Sequence, residues 1–115
     1  MKPQAVKFML MVQDMDRVVR FYRDTLGFTE GFVSPHWSEL HFGDAILGFH
    51  AGGDGKRNRT GLSLQYEDVR EAYTRAIEAG AEPLEAPDQR EDEPIILSTI
   101  ADTEGNIIML TQYVG

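Results

Sequence analysis

The sequence has 115 residues, of which 42% are hydrophobic and 26% charged, a balance typical of one globular domain. It has no cysteine, which excludes disulfides, thiolate metal sites and cysteine nucleophiles. Its net charge of −8 argues against a nucleic-acid backbone or an anionic membrane as the main partner. No apolar run approaches the ~20 residues of a membrane span, and the first residues lack the apolar stretch of a signal peptide, so we expect a soluble cytoplasmic protein.

The first half of the chain is predicted to contain a strand, a helix and three further strands. Asp14 or Asp16 can cap the helix, because a short carboxylate accepts the free N–H groups of the first turn, and Gly27 ends it. Gly43-Asp44 is typical of a tight hairpin turn. Residues 51–60 contain glycines and cations and are predicted to form an exposed loop. The predicted strands are residues 5–13, 29–34, 37–42 and 45–50.

The second half repeats this pattern. Asp68-Val69-Arg70-Glu71 is a capping box that begins a helix, and Gly80 ends it. Strands are predicted over residues 60–67, 81–86, 95–100 and 107–113, with an acidic loop over 87–94 and a turn over 102–106. The repeat length of about half the chain indicates a duplicated module, so we expect one domain made of modules 1–57 and 58–115.

Alternation along the predicted strands separates two sets of side chains. The first set is almost wholly apolar and is predicted to pack under the helices: Phe8, Leu10, Val12, Leu40, Phe42, Ala45, Leu47, Phe49, Leu62, Leu64, Tyr66, Ile108 and Leu110. The second set is mixed, and burying its charged and polar groups unpaired would cost a few kcal/mol each, so it is predicted to line a wet concavity or an interface. Its members are Lys7, Met9, Met11, Gln13, Trp37, Glu39, His41, Ile46, Gly48, His50, Gly61, Ser63, Gln65, Ile107, Met109 and Thr111.

The Gly43-Asp44 turn also predicts which residues face each other across the hairpin. A two-residue turn places Phe42 opposite Ala45, His41 opposite Ile46, Glu39 opposite Gly48, and Trp37 opposite His50. The polar members of the two strands then lie together on one face.

Two segments of the sequence resemble the vicinal oxygen chelate superfamily, which includes glyoxalase I, bleomycin-resistance proteins, fosfomycin-resistance enzymes and extradiol dioxygenases. One is the run from Val12 to Arg17 followed by Phe21-Tyr22-Arg23-Asp24-Thr25-Leu26-Gly27-Phe28, and the other is Asp102-Thr103-Glu104-Gly105-Asn106 with the strand after it. The joint from Tyr66 to Gly80 is similar to the superfamily's second strand–helix connection. The resemblance implies an α+β fold in which two βαβββ modules form a half-barrel cavity, and it implies a homodimer.

Metal-dependent members of this superfamily place one ligand on each of four strands. By the resemblance, these positions correspond to Lys7, Gly48, Gly61 and Met109. A protonated lysine repels a cation, glycine has no side chain, and a thioether suits soft metals. The resemblance therefore predicts a member without the usual divalent metal and without a cofactor.

The second set of side chains supplies the candidate site residues. Glu39 and His41 lie two apart on one strand and are candidates for acid–base catalysis. Lys7 can anchor an anionic group or pair with Glu39, and Trp37 with the methionines can form an adaptable wall for a flat ligand. The predicted ligand-binding residues are Lys7, Met9, Met11, Trp37, Ile46, Gly48, His50, Gly61, Ser63, Gln65, Met109 and Thr111.

These observations favour a metal-independent protein that binds a small organic molecule, as the bleomycin-resistance group does when it sequesters drug. An enzyme is the alternative: a lyase, isomerase or dioxygenase with an unusual metal set at Glu39, His41 and His50, or with metal-free acid–base chemistry. A third possibility is an accessory domain that acts through a partner. The charge of the ligand stays open, because the acidic chain favours a cation and Lys7 favours an anion.

Overall fold

The computed structural model describes all 115 residues and contains two similar units, each with one helix and four strands. The first unit consists of β1 (Lys7–Val12), α1 (Met15–Arg20), β2 (Thr29–Phe32), β3 (Trp37–Phe42) and β4 (Ala45–Ala51). The second consists of β5 (Asn58–Gln65), α2 (Val69–Glu78), β6 (Glu82–Gln89), β7 (Ile95–Ala101) and β8 (Asn106–Tyr113).

The strands form two four-stranded sheets with the same topology. Their orders are β1-β4-β3-β2 and β5-β8-β7-β6, so β1 and β5 are both edge strands. In each sheet the first strand pairs in parallel with the last strand of its unit, and the other pairs are antiparallel. The predicted α+β fold of two βαβββ modules is therefore confirmed.

Both helices have an N-cap aspartate that the sequence predicted. The Asp14 carboxylate accepts the backbone N–H of Arg17 at 3.1 Å, so Asp14 rather than Asp16 caps α1. The Asp68 carboxylate accepts the N–H of Glu71 at the same distance, 3.1 Å. A single π-helical turn, Phe21–Thr25, prolongs α1. Neither helix has the length and apolar character that a transmembrane segment requires.

The hairpin register is confirmed, whereas the prediction for β6 is wrong. The four predicted pairs across Gly43-Asp44 are all present in the β3–β4 register. The predicted strand 81–86 is instead a longer strand, Glu82–Gln89, with two register shifts, and the predicted acidic loop 87–94 is confirmed only over residues 90–94. This strand lies at the edge of its sheet, where the missing N–H groups of Pro83 and Pro87 are tolerated.

One continuous core joins the two modules. Twenty buried hydrophobic residues form a single cluster that includes Leu10, Leu40 and Phe49 from the first sheet and Ile100 and Leu110 from the second. The first set of alternating side chains is therefore largely core, as predicted.

Three residues of the first set, all near strand ends, are exposed and do not belong to the core. Phe8 and Phe42 keep 47% and 70% of their surface exposed, and Ala45 is exposed as well. Phe42 and Ala45 flank the hairpin turn, and Phe8 lies near the start of an edge strand. The short α1 does not cover these ends, so their apolar side chains remain on the surface.

The side chain of Glu104 connects the second module to the first. Its Oε1 accepts the backbone N–H groups of Gln13 and Asp14 at 3.0 and 2.9 Å, and its Oε2 accepts Nε of Arg17 at 2.9 Å. The side chain of Glu104 is 0% exposed. Burial opposes ionisation, but these bonds and one from Thr103 outweigh it and lower the pKa of the Glu104 carboxyl.

A second buried contact lies beside it. The hydroxyl of Tyr22 donates to Asp102 at 2.7 Å, and Asp102 also accepts the backbone N–H groups of Glu104 and Asn106. Burial raises the pKa of Asp102, although the hydrogen bonds oppose this, and burial next to Asp102 raises the pKa of Tyr22 well above its ordinary value. The turn 102–106 thus holds the two modules together through buried polar groups.

Candidate functional site

The single tryptophan of the chain lies against the backbone of the neighbouring strand. A Cβ atom placed on Gly48 would overlap the Cη2 and Cζ2 atoms of the Trp37 indole. Gly48 is consequently buried although it lies on the surface of the sheet. The indole can adopt this position only because residue 48 has no side chain.

A carboxylate fixes the polar edge of the indole. The Oε2 atom of Glu39 accepts the Trp37 Nε1–H at 2.9 Å and also accepts Nζ of Lys7 at 2.8 Å. The hydrogen bonds from Lys7 and then from Trp37 lower the pKa of Glu39. Glu39 is therefore ionised at neutral pH, and it orients the ring.

Further groups surround the indole on the same face of the sheet. Met9 and Met11, which pair with Gly48 and His50 across the β1–β4 ladder, are 56% and 38% exposed. The ring centroids of Trp37 and His50 are 6.2 Å apart in an edge-to-face arrangement. We call this surface the indole platform; it consists of Trp37, Gly48, Met9, Met11 and His50.

His41, the second member of the predicted acid–base pair, and His50, the third member of the alternative metal set, form no hydrogen bond with Glu39. The imidazole of His41 lies against Gly31 of β2, where a Cβ atom would overlap it. Nδ1 of His50 lies 2.6 Å from the carbonyl oxygen of Ala51. Glu39 forms hydrogen bonds with Lys7 and Trp37 and none with His41. No three His, Asp or Glu side chains converge on a point where they could hold a metal ion, including Glu39, His41 and His50.

The four positions that correspond to metal ligands do not suit a divalent cation. Lys7 presents an ammonium that is already bound to Glu39, and the indole covers Gly48. Gly61 has no side chain, and Met109 offers only a thioether, which is a poor ligand for hard or borderline divalent ions. This donor set does not fit the metal that the resemblance would imply.

The predicted ligand-binding residues of the second sheet lie away from the indole platform within one chain. Ser63 and Gln65 are exposed on the edge strand β5. Met109 and Gly61 line a cavity of about 320 Å³ together with Arg59. Thr111 is buried. Within a single chain the predicted ligand-binding residues therefore lie on two different sheets, and Ile46 lies on the first sheet.

A cavity lies between the modules and not on the indole platform. It measures about 570 Å³ and we call it the seam cavity. No charged side chain lines it, and it adjoins the two edge strands β1 and β5. An apolar hollow between unpaired strand edges is typical of a surface that another protein covers. Its lining residues are Phe8, Leu26, Phe28, Phe42, Ala45, Leu47, Gly61, Leu62, Ser63, Leu64, Gln65 and Tyr66.

Sequence reasoning missed both the seam cavity and the packing of Trp37 on Gly48. The spacing of Trp37 and Glu39, two apart on one strand face, was the available signal for their hydrogen bond. The position of the indole on the next strand depends on its rotamer, which alternation does not specify.

Two βαβββ units that share one core and leave one face of a sheet accessible define the glyoxalase and bleomycin-resistance type of protein. The chain belongs to the family described as a glyoxalase-like domain, whose profile matches residues 7–111. No curated protein matches the chain.

Several solved structures share the fold. One is a glyoxalase/bleomycin resistance protein/dioxygenase family enzyme from Burkholderia phytofirmans, with 20% identity, a TM-score of 0.77, and coverage of 93% of this chain and 96% of that one. The antibiotic-binding protein TnmS3 from Streptomyces sp. CB03234 has 24% identity and a TM-score of 0.75, with 97% of each chain covered. TioX from Micromonospora sp. has 19% identity and a TM-score of 0.75, with 96% and 99% covered.

Proposed function

We propose that this protein binds a small, flat organic molecule on the indole platform without a metal ion. The observation that carries the proposal is the Trp37 indole, which rests on Gly48 and is held by Glu39. Exposed thioethers of Met9 and Met11 flank it, and sulfur makes favourable contacts with aromatic rings. An aromatic surface held in place before binding loses little conformational entropy when a ligand stacks on it.

The comparisons support sequestration of a drug-like molecule as the form of this activity. TnmS3 is an antibiotic-binding protein, and it shares the fold over nearly its whole length. Antibiotics with a planar ring system are therefore the first ligands to test.

The geometry gives less support to the enzymatic alternative. Acid–base catalysis at neutral pH is most efficient when the pKa of the group lies near 7. The lowered pKa of Glu39 moves this carboxylate away from that range. Its hydrogen bonds from Lys7 and Trp37 stabilise the ionised form, so the carboxylate is a weak base in this position.

The proposal can be tested by fluorescence, because Trp37 is the only tryptophan. We expect planar tricyclic compounds, including acridone, to quench its emission saturably and to raise the melting temperature by mass action. Prior dialysis against EDTA is expected to leave the affinity unchanged. Absence of quenching across a set of planar ring systems contradicts ligand binding, and affinity that returns only on addition of a divalent metal contradicts metal independence.

We further propose that the protein is a homodimer whose second copy covers the seam cavity. Phe8 and Phe42 expose large apolar surfaces beside it, and the edge strands β1 and β5 are both unpaired. In this arrangement the first-sheet residues of one copy would lie close to the second-sheet residues of the other.

Sedimentation velocity tests the homodimer. We expect the wild-type protein to sediment as a dimer at micromolar concentration and Phe42→Asp to weaken association at least about tenfold, since a carboxylate in an apolar contact is costly. Phe32→Asp is the matched control, because Phe32 is similarly exposed but lies on β2 at the far edge of the first sheet. A monomeric wild type, or equal effects of both variants, contradicts this arrangement. The cytoplasmic location stays a prediction.

A further inference from the structure

The two charged side chains beside the indole platform, Lys7 and Glu39, have opposite charges and bind each other. The strands of the first sheet carry only three charged side chains, Lys7, Glu30 and Glu39. Glu30 binds Arg23, which follows α1, and so lies on the helix side of the sheet. The other two share the face of the platform and bind each other at 2.8 Å.

Each member of this pair already has an opposite charge beside it. The same oxygen of Glu39 accepts Lys7 Nζ and Trp37 Nε1, and the Glu39 side chain is only 18% exposed. The platform thus offers a ligand an indole, thioethers and imidazole, with no unpaired carboxylate for a cation and no unpaired ammonium for an anion.

We propose that the Lys7–Glu39 ion pair makes the indole platform selective for uncharged aromatic molecules. This inference rests on the proposed function, and it names the class of ligand that the site takes. A charged ligand would lose part of its hydration against an apolar surface without gaining an opposite charge. The net charge of −8 on the whole chain has little influence, because salt screens charges separated by more than about 8 Å at physiological ionic strength.

Removing one partner of the ion pair is expected to make the platform favour a ligand of one charge, and removing the other partner is expected to make it favour the opposite charge. Lys7→Met leaves the Glu39 carboxylate free to attract a cation, whereas Glu39→Gln leaves the Lys7 ammonium free to attract an anion. Glutamine also keeps an oxygen that can accept the indole N–H, so the platform keeps its orientation.

Three tricyclic probes of similar shape test this in a crossed design: acridone is neutral, 9-aminoacridine is a cation at neutral pH, and acridone-N-acetate is an anion. Dissociation constants come from quenching of Trp37. We expect the wild-type protein to bind acridone at least about fivefold more tightly than either charged probe, because no opposite charge offsets the hydration that a charged probe loses. Lys7→Met is expected to raise the affinity for 9-aminoacridine about fivefold relative to the affinity for acridone, the ratio that corresponds to one pair of unit charges at about 4 Å in water. Glu39→Gln is expected to raise the relative affinity for acridone-N-acetate by a similar factor.

The outcomes separate the two proposals. If the wild-type protein binds a charged probe as tightly as acridone, or if the variants do not shift selectivity in opposite directions, the ion pair does not set the ligand class. If none of the three probes quenches Trp37, the proposed function itself fails. The affinity of each charged probe is divided by the acridone affinity of the same protein, so a change in the platform that affects all three probes equally cancels in this ratio.

Discussion

Replacing Glu104 by glutamine is expected to lower the free energy of unfolding by about 2–4 kcal/mol at neutral pH. The carboxylate is buried and accepts hydrogen bonds from Gln13, Asp14 and Arg17 in the first module. A glutamine side chain has nearly the same shape, but its amide group would place a donor against donors. The variant therefore removes the charge and part of the hydrogen bonding while the packing is retained.

The same residue is expected to make the protein sensitive to acid. The folded pKa of Glu104 lies below its ordinary value of 4.5. A carboxyl with a lowered folded pKa stabilises the protein fully above its unfolded pKa, and that stability is lost as the pH falls through the folded pKa. Stability should thus decline below about pH 4.5 through Glu104. The raised pKa of Asp102 means that the folded protein favours the protonated carboxyl, so Asp102 adds stability as the pH falls. This contribution offsets part of the decline that Glu104 causes.

Urea unfolding at pH 7 and at several lower pH values measures both effects. Glu91→Gln is the matched control, because Glu91 is exposed in the loop between β6 and β7 and forms no ion pair. We expect this control to stay within about 0.5 kcal/mol of the wild type. A Glu104→Gln variant as stable as the control, or one with an unchanged slope below pH 4.5, would show that Glu104 does not hold the modules together.

Local signals in the sequence were sufficient to predict most of the fold. The Gly43-Asp44 turn determines the register of β3 and β4, and Asp68 begins α2, because each depends on neighbouring residues. The strand β6 was predicted too short, since its two prolines are typical of a loop unless the strand is known to lie at an edge.

The site could be predicted only in part, because its contacts depend on tertiary structure. Glu104 binds residues about 90 positions earlier in the chain, and no local pattern indicates which carboxylate of the turn does so. Alternation placed Trp37 and Gly48 on one face, but it does not specify that the indole turns toward the next strand. The seam cavity depends on how the two modules pack, which the repeat alone does not determine.

Gly48→Ala is expected to weaken binding of acridone about tenfold while the protein stays folded, as a stacked aromatic contact contributes about 1 kcal/mol or more. The added methyl group would occupy the space that the Trp37 indole fills, and the ring must turn away from the sheet. Gly48 has no positive φ angle, so alanine imposes no backbone strain, and stability is expected to change by no more than about 1 kcal/mol.

Gly31→Ala provides the matched control, because it displaces a ring on the same sheet and its added Cβ atom lies near no platform residue, although it would lie 3.0 Å from the backbone oxygen of Glu39. Its Cβ atom would overlap the imidazole of His41. Isothermal titration calorimetry with acridone is expected to give an affinity within about twofold of the wild type for this control and a loss of about thirtyfold for Trp37→Leu. If Gly31→Ala weakens binding as much as Gly48→Ala, the ligand lies toward His41, and the indole is not the binding surface. The order of these three affinities therefore decides whether the ligand stacks on Trp37 or contacts the histidine end of the sheet.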